Sequence, residues 1–231
     1  GDGVWRMAPR MADKWAAASM MAGHPGNASQ VNLLNVPFSI WMGEHDAAYD
    51  RNRLAKEKGA VMDSLEAANP DKYIHSTNII EGKGHWMDRA DADAVGWMAQ
   101  YRRNPYPKKV VWRQEEVLRE HFYWLTAPAD ELRHGSTVIA SINGNSINIE
   151  HCDYSRLTIR LNDNMLDLDK KVTVYYKGKK IKRKSAGLDS LSSAVVFQQS
   201  GGFLDGHRGE LLFFGAGVDA QPVACMGTGQ G

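Results

Sequence analysis

Apolar residues recur at helical spacing from the start of the chain. Val4, Met7, Ala8, Met11 and Trp15 stand at i, i+3, i+4, i+7 and i+11, which predicts a helix entry. A small and apolar run over 16–22 follows, closed by Gly23-His24-Pro25-Gly26, and a second run, Pro37-Phe38-Ser39-Ile40-Trp41-Met42, is closed by Gly43. Neither run alternates, so both are predicted as strands buried on two faces. Past Gly43-Glu44-His45-Asp46, the residues Leu54, Val61, Met62, Leu65 and Ala68 form one stripe of a helix that Asn69-Pro70 ends and Gly59 weakens midway. A third strand over 74–80 leads through Glu81-Gly82-Lys83-Gly84 to His85, and 90–101 form another helix bearing Val95, Trp97 and Met98. Strands alternating with helices of this length predict an α/β fold: a parallel sheet covered on both faces and joined by right-handed crossovers.

The pattern changes at Asn104-Pro105-Tyr106-Pro107, where a proline-punctuated stretch ends the helical periodicity. Short strands are expected beyond it, over 110–113, 121–126, 137–142, 146–149, 156–161, 171–176, 179–182 and 211–214, with Lys177-Gly178 as a tight turn. A small antiparallel β-sandwich is the natural arrangement. The chain therefore divides into an α/β region over 1–107, a β-sandwich-like domain over 108–215 and a glycine-rich tail over 216–231 expected to be loosely held.

Composition narrows the function more by exclusion than by pointing. The 231 residues are 43% hydrophobic with a formal net charge of +1, enough apolar material for a substantial core and no global field for nucleic acid or an anionic membrane. No apolar run reaches the length of a membrane span, and Gly1-Asp2-Gly3 has neither a basic nor an apolar signal region. Cys152 and Cys225 make at most one disulfide, so the redox compartment and the localisation stay open.

Two polar residues stand out by position. Asp46 and His85 each fall just past the carboxyl end of an expected parallel strand, the edge at which open α/β sheets bind ligands. A general base needs an imidazole with one nitrogen free and the other held by a carboxylate. The order, acid before histidine, suits a serine-type triad. Against this stands the ordinary role of an aspartate before a helix as a cap or turn residue. His45 and Asp50 compete with Asp46, and His75 competes with His85 but falls inside a strand. His24, Tyr49 and Trp86 lie on loops of the same edge as candidate pocket residues, although a turn would explain His24 and packing under neighbouring loops would explain the aromatics. No G-x-S-x-G nucleophile elbow occurs in the chain.

Residues 1 to about 107 resemble the C-terminal half of α/β-hydrolases of the dienelactone hydrolase and prolyl oligopeptidase type. Gly1-Asp2-Gly3-Val4-Trp5 is similar to the start of the helix after the nucleophile, Gly43-Glu44-His45-Asp46 to the strand end bearing the acid, and Glu81-Gly82-Lys83-Gly84-His85-Trp86 to the histidine loop. The resemblance implies a partial α/β-hydrolase fold, Asp46 as acid, His85 as base, a small-molecule ester or peptide as substrate, and no cofactor. It also implies that the serine and the oxyanion donors lie upstream of Gly1, and that this polypeptide alone is inert. An N-terminal piece, a second chain or self-association is then expected to cover the open sheet.

Two rivals come from other classes. His24, His45, Asp46, Asp50 and His85 include metal-ligand types, but no spaced pair fixes two of them on one element. The β-rich half offers Phe122, Tyr123, Trp124, Tyr175 and Tyr176, and a basic run from Lys177 to Lys184, for a binding module. Such aromatics more often fill a core, and such a hairpin is usually a solvated edge.

Overall fold

The computed structural model describes residues 1–183, 192–200 and 208–215, with side chains through Ile181. The expected tail over 216–231 and Cys225 lie outside the described residues. The class is mixed α/β, with both parallel and antiparallel sheets.

Three parallel strands, β1 (Ala18–Met21), β2 (Phe38–Gly43) and β3 (His75–Ile80), pair in the order β1-β2-β3, with Ala18 beside Phe38 and Phe38 beside His75. Central β2 is buried at all six positions, as its unbroken apolar run requires; β3, at an edge, is half-buried. Helices α1 (Asp2–Arg10) and α2 (Arg51–Ala68) cover the face of Phe38, Ile40 and Met42, and the short α3 (Asp93–Met98) covers the face of Trp41. That second face is partly polar: the hydroxyls of Ser19 and Ser39 share a hydrogen bond of 2.7 Å, and Trp41 Nε1 donates to Ser39 at 3.1 Å.

The helix stripes are shifted from those expected. In α1 the buried residues are Trp5, Ala8 and Pro9, while Met7 is half-exposed. In α2 they are Ala55, Gly59 and Met62, leaving Val61 and Ala68 exposed. The reason is close approach. A Cβ on Gly59 would lie 2.6 Å from Thr77 Oγ1, so the glycine that reads as a weak point is where the helix sits down on β3. The last helix is shorter than 90–101, being 3-10 over Met87–Ala92, and it buries Ala94 rather than Val95.

Beyond residue 107 the strands are β4 (Lys109–Arg113), β5 (His121–Phe122), β6 (Leu125–Thr126), β7 (Thr137–Asn143), β8 (Ser146–Cys152), β9 (Arg156–Arg160), β10 (Thr173–Tyr176), β11 (Lys179–Lys180), β12 (Lys182–Arg183), β13 (Ser192–Ser200) and β14 (Arg208–Gly215). They form a five-stranded sheet, β11-β10-β8-β7-β4, and a six-stranded sheet, β12-β14-β13-β9-β6-β5. Burial alternates along β4, β7, β9 and β10, as expected of strands with one covered face. Two pairings depart from the antiparallel expectation: β8 with β10 and β12 with β14 are parallel. Between β8 and β10 the chain visits β9 in the other sheet, and this long return brings it back in the same direction. Strand β13 is not among the expected strands; its Ala194-Val195-Val196-Phe197-Gln198-Gln199 run lacks alternation.

The two regions share a core. Buried residues continue from Trp5 and Phe38 through Trp112 and Phe122 to Val174, with the rings of Trp112 and Phe122 stacked at 5.7 Å. Asn32, in the 3-10 turn Val31–Asn35, acts as a strand would on the outer edge of β4: its Nδ2 donates to Arg113 O at 2.9 Å and its Oδ1 accepts from Arg113 N at 2.7 Å. Asn35 Nδ2 adds a bond to Lys109 O at 2.8 Å. Among the described residues no helix is long and apolar enough to cross a membrane.

Candidate active site

Parallel neighbours release their following loops at one edge, and here the backbone ladder continues past the strands. Glu44 N donates to Ile80 O at 3.0 Å and His45 N to Lys83 O at 2.8 Å, while Glu44 Oε2 accepts from Gly82 N at 2.9 Å. The loop after β2 and the loop after β3 are thereby joined. Gly43 makes this possible: a Cβ there would lie 2.1 Å from Gly84 O and 2.6 Å from Lys83 O, backbone atoms that cannot step aside.

The joined loops bring Asp46 and His85 together, with 2.8 Å between Asp46 Oδ2 and His85 Nδ1. The Asp46 side chain is 2% exposed and that of His85 is 43% exposed. Arg51, the first residue of α2, grips the other side of the carboxylate. Its Nε lies 3.0 Å from both Oδ1 and Oδ2, and its Nη2 lies 2.6 Å from Oδ1. Burial pushes the Asp46 carboxyl toward higher pKa, but the hydrogen bonds from Arg51 and His85 outweigh it and hold the group below its ordinary value. Asp46 is therefore an anion in the neutral range.

The other candidates separate clearly. Tyr49 and Trp86 do not pack under loops: they are 80% and 84% exposed, Trp86 edge-on to the His85 ring at 5.7 Å and Tyr49 beneath the Arg51 guanidinium at 5.5 Å. His24 is a turn residue, its backbone N–H donating to Asp2 Oδ1 at 2.7 Å and its Nδ1 accepting from Gly26 N at 3.0 Å. The start of α1 lies against that turn, because Trp5 Nε1 donates to Gly23 O at 3.3 Å and a Cβ on Gly23 would meet Gly1 Cα at 2.6 Å. His45 is exposed, Asp50 pairs with Arg53 at 3.1 Å, and His75 sits at the opposite end of β3, bound to Asp63 at 3.0 Å. Among the described residues no three His, Cys, Asp or Glu side chains are grouped to hold a metal ion.

No family model, curated protein or solved structure matches this chain. An anionic Asp46 can only accept, so His85 Nδ1 donates to it and Nε2 is the ring nitrogen outside that bond. No hydroxyl or thiol among the described residues is hydrogen-bonded to His85. Backbone strain gathers in the same two loops, where Tyr49, Asp50, Met87, Asp88 and Arg89 all have positive φ. Each such residue costs about 1–2 kcal/mol.

Arg51 is the site residue that sequence reasoning missed. The signal was its position, since the helix dipole disfavours a cation in the first turn. An arginine at the start of α2 needs a nearby anion to be stable there.

Proposed function

We propose that Asp46 and His85 are the acid and base of a serine-type acyl-transfer hydrolase acting on an ester or peptide bond. In this reading residues 1–107 are the back part of an α/β-hydrolase fold, and residues 108–215 a β-sandwich packed beside it. The observation that carries it is the 2.8 Å bond between a buried, anionic Asp46 and a half-exposed His85, at the carboxyl ends of adjacent parallel strands. His85 would take the proton of a serine hydroxyl as it attacks the carbonyl and return it to the leaving group. Asp46 orients the ring and stabilises the imidazolium. The nucleophile, in a G-x-S-x-G elbow that this sequence lacks, comes from polypeptide outside residues 1–231.

The ordered resemblance to the dienelactone hydrolase and prolyl oligopeptidase type supports the same assignment. Burial of Phe122 and Trp124 favours a core role over a binding face for the β-rich aromatics.

The test is covalent labelling by a fluorophosphonate probe. The complete gene product is expected to label at a serine, and the 231-residue chain is not. In the complete product His85→Ala and Asp46→Ala are each expected to lower acyl transfer by about 10⁴-fold. Full activity of the His85→Ala protein, or strong serine labelling of the pure 231-residue chain, would overturn the reading.

A further inference from the structure

The carboxylate of Asp46 is held from two sides, and only one of them is the histidine. A three-contact guanidinium grip on a buried carboxylate is more than a surface ion pair: the fork sets the plane of the group as well as its charge. Arg51 is itself held. Its side chain is 15% exposed, it lies over the Tyr49 ring, and Asp2 at the start of α1 adds to the negative field around it.

We propose that Arg51 is a positioning residue: its guanidinium keeps the buried Asp46 ionised and turned so that Oδ2 faces His85 Nδ1. The catalytic meaning of that role rests on the reading of the pair given above.

The charged groups around the carboxylate are few. Arg51 reaches it from α2 and His85 from the loop after β3. Glu44, on the loop after β2, is turned aside to Gly82 N. Lys83 is paired with Asp88 at 2.8 Å, and Asp50 with Arg53. Among the described residues Arg51 is thus the permanent cation in contact with Asp46, and burial works against the anion once Arg51 is gone.

The experiment is a ¹³C-carboxyl NMR titration of Asp46 in the 231-residue chain, the resonance being assigned by its loss in Asp46→Asn. Wild-type Asp46 is expected to titrate below its ordinary value of 3.8. In Arg51→Gln its proton affinity rises roughly tenfold or more, the usual effect of removing an opposite charge in contact. Arg51→Lys restores a cation without the fork and falls between the two. Arg51→Gln titrating with wild type would overturn the proposal. If that variant does not fold, Arg51→Lys decides: a midpoint equal to wild type would show that the fork has no role. The order of the three midpoints stands apart from fluorophosphonate labelling of the complete gene product, so failure of this proposal and failure of the hydrolase reading are distinguishable.

Discussion

In the parallel sheet, polar side chains at the strand ends meet each other; in the later β-rich region they bind backbone. Asp46 and His85 are far apart in sequence, yet they meet because β2 and β3 run the same way and release their loops at one edge. Beyond residue 107 most neighbours are antiparallel, and polar side chains bind the backbone of another segment. Asn145 donates to the carbonyls of Asp167, Lys170 and Lys171 and accepts from Asp167 N, and the Glu131 carboxylate accepts from Ser155 N at 2.6 Å. One arrangement leaves an imidazole half-exposed beside a buried anion, whereas the other uses polar groups to tie one backbone segment to another. Strand direction therefore separates a site from a scaffold here, since both regions bury apolar strand faces equally well.

The largest effect is expected where the loops after β2 and β3 cross. Gly43→Ala forces a methyl group into the Gly84 carbonyl and is expected to cost about 3 kcal/mol, read by urea unfolding, because backbone on both sides resists relaxation. A variant as stable as wild type would show that the loops are not locked together. The contact between the regions comes next. Asn32→Ala leaves the Arg113 N–H and C=O without their partner and is expected to cost about 2 kcal/mol, against about 1 kcal/mol for Asn35→Ala, which loses one bond. Equal losses would argue against the paired amide as the stronger brace.

The packing of α2 gives a smaller effect with an unusual sign. In an exposed helix interior Gly→Ala stabilises by about 1 kcal/mol, but here Gly59→Ala is expected to destabilise by about that amount, because its methyl meets the branched Thr77. The double variant with Thr77→Ala should recover most of the loss. At the site itself, a folded-state pKa below the ordinary carboxylate value contributes stability that is full above about pH 4 and lost as pH falls through the lower folded value. Asp46→Asn should therefore flatten the acid side of a stability–pH curve below about pH 4. The smallest change is expected from Tyr49→Ala and Trp86→Ala: exposed as they are, each should alter stability by no more than about 0.5 kcal/mol. A larger loss would mean that these rings brace the loops.

The parallel strands and the meeting of Asp46 with His85 at their carboxyl edge were legible because both follow from local patterns. The apolar run from Phe38 to Met42 reads as a strand buried on two faces, and Gly43 and Glu81-Gly82 mark where each loop leaves the sheet. Helix faces were less legible. Val61 and Val95 are apolar in sequence and exposed in the fold, because the faces that pack are made of Ala55, Gly59 and Ala94, which hydrophobic spacing does not weight. Arg51 was missed for a related reason: a lone arginine reads as a solvated surface charge until the buried carboxylate beside it is known. The parallel pair of β8 and β10 depends on a long excursion through another sheet, and no local pattern reports that.

The asparagine brace also bears on how modular this protein is. A β-rich unit with a bare outer strand would be prone to edge-to-edge association, yet β4 meets the side-chain amides of Asn32 and Asn35 supplied by the other region. Residues 108–215 are thus not a cassette to be moved alone. A chimera grafting them onto a different front region would have to bring the Val31–Asn35 turn along, or find another shield for that edge.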